Sequence, residues 1–187
     1  MFNGRDFAGW ELVTVPAAPV EQSFQVRADG VIASTGQPTG YLATTGTYSD
    51  YRLHVEWRWP GKPGNAGVLL HIVGGPKDRA WPLSLQVQTK NGSVGDVLPM
   101  AGASFTEALT SAPGAAVPLK AHIAADSEKV AGEWNSCDIV SRAGTIEVTV
   151  NGVLQNRVSG AQPAAGRIGF QLEGAAYEMR NVTLAPL

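Results

Sequence analysis

The sequence is poor in cysteine and poor in charge. Cys137 is the one cysteine among 187 residues, so no intrachain disulfide and no cysteine-based metal cluster can form. It reads as a small, half-buried strand residue. Charged residues make up 16% of the chain, against roughly 25% in ordinary globular proteins. The formal net charge of -2 leaves no basic excess to neutralise phosphates, which excludes a nucleic-acid partner. No apolar run reaches the length of about 18 residues needed for a membrane-spanning helix. No secretory signal is visible, and the chain starts directly with Met1-Phe2-Asn3-Gly4, so the expectation is that Met1 stands where an export signal has been removed. A phosphate-binding glycine loop, a His-x-x-x-His pair and a Gly-x-Ser-x-Gly elbow are all missing. An Asp-rich calcium loop is missing too. The expectation is therefore no metal and no cofactor.

What is present is apolar residues, turns and alternation. Hydrophobic residues are 44% of the chain, with 22 Gly and 12 Pro spread between apolar runs. That composition fits one folded domain over residues 1–187 rather than a disordered chain. The dominant period is two, the mark of half-buried strands. In Tyr51-Arg52-Leu53-His54-Val55-Glu56-Trp57-Arg58-Trp59 the apolar residues point one way and Arg52, His54, Glu56 and Arg58 the other. Pro60 to Gly64 forces a turn, and Gly67 to Val73 returns. Further strands are expected over 24–26, 31–34, 83–88, 134–141, 145–150, 153–158, 167–173 and 177–184. The Asn151-Gly152 pair marks a hairpin. No long helical period appears. Nine or ten antiparallel strands with one apolar face each imply an all-β, two-sheet sandwich. Residues 99–129 break the pattern and read as long loops, with one short strand at 117–123; such loops often shape a binding site.

Candidate functional residues follow from these assignments. Glu56, His54 and Arg58 share one strand face. Gln86 and Gln88 share another, and Gln171 and Glu173 alternate on a third. His71 stands on the strand after the Gly64-Asn65-Ala66-Gly67 turn, and Asp96 follows Gly95 at a strand end. Amides, carboxylates and guanidinium groups converging on one concave sheet suit the hydroxyls of a sugar. A Glu56–Glu173 pair is one route to glycosidase chemistry. The plainer reading stands beside it, because the outer face of any antiparallel strand is polar.

Several segments together resemble the 3-keto-disaccharide hydrolase domain family. They are Phe2-Asn3-Gly4-Arg5-Asp6-Phe7-Ala8-Gly9-Trp10, the 51–59 strand with Gly64-Asn65-Ala66-Gly67-Val68, and Glu133-Trp134-Asn135. The hairpin 145–152, Gly166-Arg167-Ile168-Gly169-Phe170-Gln171 and Met179-Arg180-Asn181-Val182 complete the set. The resemblance implies a concanavalin A-like lectin/glucanase sandwich (a jelly roll), exported to the periplasm or secreted from a bacterium. It implies a hydrolase acting on a 3-keto-glycoside. Glu56 would be its acid or base, with His54 and His71 as further proton carriers. Arg58, Gln86, Gln88, Asp96, Gln171 and Glu173 would hold the sugar. One departure bears on this: the family commonly places Glu-x-Gln where this chain has Gln86-Val87-Gln88. A neutral residue there favours the alternative, a non-catalytic carbohydrate-binding module on the same fold. A protein-interaction domain is the third reading.

Overall fold

The computed structural model describes residues 2–187. Met1, on which the expectation of a removed export signal turns, lies outside the described residues. Thirteen strands form, in order β1 (Trp10–Val15), β2 (Phe24–Val26), β3 (Ile32–Ser34), β4 (Thr39–Thr44), β5 (Tyr51–Arg58), β6 (Gly67–Asp78) and β7 (Trp81–Gln88). They continue with β8 (Val97–Met100), β9 (Asn135–Arg142), β10 (Thr145–Val150), β11 (Val153–Val158), β12 (Arg167–Leu172) and β13 (Tyr177–Pro186). A single helical turn, α1 (Val20–Ser23), precedes β2. All strand pairs are antiparallel.

The strands make two sheets. One has six strands in the order β1-β4-β12-β6-β7-β8, and the other seven in the order β11-β10-β9-β5-β13-β3-β2. The sandwich expected from the alternation is therefore what forms. Its core is one cluster between the sheets, containing Leu53, Val55, Trp57, Leu70, Leu85, Val87, Ile139, Val148, Phe170 and Met179. Burying a side chain of this size contributes about 1.5–3 kcal/mol. β5 alternates buried and half-exposed residues along its length. Its register against β9 and β13 aims Leu53, Val55 and Trp57 inward and His54, Glu56 and Arg58 outward.

The six-stranded sheet differs. β4, β7 and β12 are buried at nearly every position. Tyr41, Ala43, Leu69 and Ile72 form a second small apolar cluster on its outer face. Residues 101–134 hold no strand, as expected for loops. The short strand expected at 117–123 reduces to a single bridge between Lys120 and Val97. Among the described residues no helix is long and apolar enough to cross a membrane.

Candidate active site

A groove of about 360 Å³ lies on the outer face of the six-stranded sheet. Gln86 and Gln88 enter it from β7, and Gln171 and Glu173 from the end of β12. Asn65 joins them from the β5–β6 turn. Asp78, Arg79 and Trp81 build one wall at the β6–β7 hairpin, and residues 98–102 with 116–118 build the other. Two contacts hold the second wall in place. Backbone bonds join Lys120 to Val97 in both directions at 2.9 Å, and Nζ of Lys120 donates to Oδ1 of Asn156 at 2.6 Å.

The floor side chains form one hydrogen-bonded chain. Nε2 of Gln86 donates to Oε1 of Gln88 at 2.7 Å and to Oε1 of Gln171 at 3.0 Å. Nε2 of Gln171 donates to Oε2 of Glu173 at 2.6 Å, and Nδ2 of Asn65 donates to the same oxygen at 2.7 Å. The chain crosses β6, which lies between β7 and β12. Two glutamines can meet over an intervening strand only where that strand carries no side chain. Gly67 supplies the gap: a Cβ there would sit 2.6 Å from Nε2 of Gln86.

Glu173 is the one carboxylate in this chain. Burial pushes its carboxyl above the ordinary carboxylate range, and the positive charges of Arg79 and Lys90 offset only part of that. Oε2 is held by two donors, while Oε1 has no partner among the described residues. The amide nitrogen of Gln88 likewise has no partner among the described residues. The groove thus presents a base with a raised proton affinity and, on the same floor, a free N–H donor.

The other expected site residues lie elsewhere. Glu56, His54 and Arg58 stand on the outer face of the seven-stranded sheet, so they do not share a face with Gln86. Each is engaged there. Glu56 accepts from Nε of Arg180 at 2.6 Å and Nδ2 of Asn181 at 2.7 Å. Arg58 donates to the buried Glu178 at 2.7 Å, and Nδ1 of His54 lies 2.9 Å from Oδ1 of Asp138. Burial alone would raise the Glu56 carboxyl, but the bonds from Asn181 and Arg180 and the Arg180 charge hold it below the usual range. Glu56 and Glu173 face away from each other on opposite sheets. Packed sheets are about 10 Å apart before side chains are counted, so the two-carboxylate pairing is ruled out.

His71 is fully buried inside the sandwich. Its Nδ1 lies 2.8 Å from the Pro163 carbonyl and its Nε2 3.1 Å from Oγ of Ser141. It sits at φ 55, where the β6–β7 register breaks between Leu70 and Val73. That bulge turns the side chain inward. Asp96 is outside the groove lining as well. It takes the His122 backbone N–H at 2.8 Å and faces Nδ1 of His122 at 2.6 Å, which ties down the loop behind the groove wall. Asn65, Arg79 and Trp81 were not anticipated as site residues. The Gly64-Asn65-Ala66-Gly67 turn was the available signal for Asn65. Trp134 lies under two guanidinium groups, Arg58 at 4.6 Å and Arg180 at 4.1 Å. Among the described residues no three His, Cys, Asp or Glu side chains cluster closely enough to hold a metal ion.

The profile of the 3-keto-alpha-glucoside-1,2-lyase-like domain matches residues 1–185. The chain belongs to that family. Among solved structures it is similar to a candidate glycosyl hydrolase from Parabacteroides distasonis. The two share 23% identity over 100% of this chain and 92% of that one, with a TM-score of 0.70. It is similar also to the carbohydrate-binding module CBM66 from Bacillus subtilis, at 11% identity over 94% of each chain and a TM-score of 0.62. The alginate lyase A1-II' of polysaccharide lyase family 7 shares 13% identity over 98% of this chain and 96% of that one, with a TM-score of 0.59. At such identities the likeness concerns the fold. None of the curated proteins matches the chain.

Proposed function

We propose that the groove binds a 3-keto-glycoside and that Glu173 removes the proton at C2. One observation carries the reading: an isolated carboxylate of raised proton affinity on a floor of amides. A 3-keto group acidifies the C2–H bond. Oε1 of Glu173 takes that proton, and the electron pair delocalises onto the C3 oxygen as an enolate. The free N–H of Gln88 donates to that oxygen. The enolate then expels the C1 oxygen, C1=C2 forms, and the departing oxygen takes a proton from water. The hydroxide so formed adds at C1 of the new double bond and Glu173 returns its proton to C2, which completes a net hydrolysis and restores the base. In an α-glucoside chair the C2–H and C1–O bonds are axial on opposite faces. A base on the floor therefore matches a leaving group aimed at the groove mouth, and no second carboxylate is required. In this reading Gln171 and Asn65 hold the sugar and the base, and the protein works in the periplasm or after secretion. Cell fractionation tests the location, and cytoplasmic retention would contradict it.

The test of the chemistry is to mix the protein with a 3-keto-α-glucoside and follow the conjugated enone by ultraviolet absorption. Enone formation that disappears in Glu173→Gln supports the proposal. Unchanged turnover in that variant refutes it. A second reading, a carbohydrate-binding module, is favoured by the neutral amides at every other floor position. Saturable sugar binding without any enone would select it.

A further inference from the structure

The floor amides have a direction, and its cause is visible. An ionised carboxylate only accepts hydrogen bonds. Gln171 must therefore turn its NH2 to Glu173 and its carbonyl away. That carbonyl needs a donor, which Gln86 supplies. The second N–H of Gln86 goes to the Gln88 carbonyl, and this leaves the Gln88 N–H groups unspent. All three glutamines are more than nine-tenths buried: Gln86 is 1%, Gln171 2% and Gln88 6% exposed. A wrong orientation would bury carbonyl against carbonyl or carbonyl against carboxylate, each a costly clash of acceptors. The Gln86 carbonyl itself has no partner among the described residues, so Gln86 is placed for what its NH2 gives.

We propose that Gln86 is a positioning residue: its two donated hydrogen bonds fix the direction of the whole chain, keeping Gln171 on Oε2 of Glu173 and the Gln88 N–H groups free for a ligand. This rests on the groove being the site. The base works through Oε1, so proton uptake leaves the two bonds on Oε2 intact. A carboxylate in place of Gln86 would donate nothing. Two carboxylates would then bracket the single NH2 of Gln171, and one would have to hold a proton. Gly67 belongs to the same device, since its lack of a side chain lets the chain cross β6.

A substrate-free measurement tests this. The Glu173 carboxyl carbon is followed by ¹³C NMR through a pH titration, its signal assigned by its loss in Glu173→Gln. In Gln86→Glu the Glu173 midpoint is expected to rise by about one pH unit relative to the parent. In Gln86→Leu and Gly67→Ala it rises less, as Gln171 becomes free to turn. The side-chain amide signals of Gln88 shift in all three variants. Thermal melts identify which variants fold, and Gly67→Ala answers the question if Gln86→Glu does not. A Glu173 midpoint that stays within about 0.2 unit of the parent in the folded variants overturns the proposal. A shifted midpoint in a protein that processes no sugar would leave the positioning role standing and remove the functional reading. Sugar processing with an unmoved midpoint would do the reverse.

Discussion

The outer faces of the two sheets carry the same kinds of side chain and put them to different use. On the seven-stranded sheet the polar side chains around Glu56 and Glu178 are paired. Arg58 and Arg27 meet Glu178, Arg180 meets Glu56, His54 meets Asp138, and the two inner guanidinium groups pack on Trp134. On the six-stranded sheet Glu173 meets only amides, and an oxygen and an N–H group are left over. Paired charges have little left for a ligand, because their hydrogen bonds are spent. The capacity to act lies in the surplus rather than in residue type. A carboxylate with a guanidinium at 2.6 Å is held ionised, whereas one surrounded by amides in a half-buried groove is shifted toward taking a proton.

This contrast can be broken at several points. The largest effect is expected for Glu173→Gln, which removes the base and lowers turnover of a 3-keto-glycoside by about 10²–10⁴-fold. The same variant leaves thermal stability equal or higher, because the amide oxygen still accepts from Asn65 and Gln171 and no buried charge remains. A destabilised Glu173→Gln protein would count against the geometry. Gln88→Leu comes next. Loss of one donor to the developing enolate costs about 10²–10³-fold in kcat, and a change confined to KM would show that Gln88 only binds.

A pH effect on stability follows. Burial lowers the His71 pKa, and the Pro163 carbonyl and the Asp50 charge oppose this only in part. The folded protein therefore keeps His71 neutral where the unfolded chain, at about 6.5, takes up a proton. Stability from this group is complete above that value and is lost as pH falls toward the lower folded pKa. Glu56, lowered by its partners, acts in the same direction at more acid pH, with its contribution lost as pH falls below the ordinary carboxylate range. Melting temperatures across pH 7.5 to 5, flattened in a His71→Gln variant, check the first part. The smallest effect is that of Glu56→Gln on catalysis. Turnover stays within a factor of about three, and the loss of charge pairing costs about 1 kcal/mol of stability or less.

Alternation made β5 the most legible strand of the sequence, because one of its faces is buried and the other faces solvent. That clarity is also why Glu56, His54 and Arg58 stood out. β4 shows no such period because Tyr41 and Ala43 on one side and Leu42 and Thr44 on the other are all buried, as expected for a strand covered on both faces. It went unseen for that reason. β8 is four residues long and carries Pro99, too little for a period to show. The sandwich, its turns and the order of its closing strands could be read from the sequence. Which polar face is concave could not, because curvature arises from the twist of the whole sheet. The better local signal was polar residues on strands otherwise apolar on both sides, as in Leu85-Gln86-Val87-Gln88 and Phe170-Gln171-Leu172-Glu173. His71 misled for a separate reason: the bulge after Leu70 reverses the side on which its ring emerges, and no spacing rule exposes a bulge.

The most direct test compares three proteins, the parent, Glu173→Gln and Glu56→Gln, on one 3-keto-α-glucoside, with enone formation and melting temperature measured together. The account predicts activity in the parent and in Glu56→Gln, and none above background in a fully folded Glu173→Gln. Activity that survives in Glu173→Gln and vanishes in Glu56→Gln would place the chemistry on the opposite sheet and contradict it.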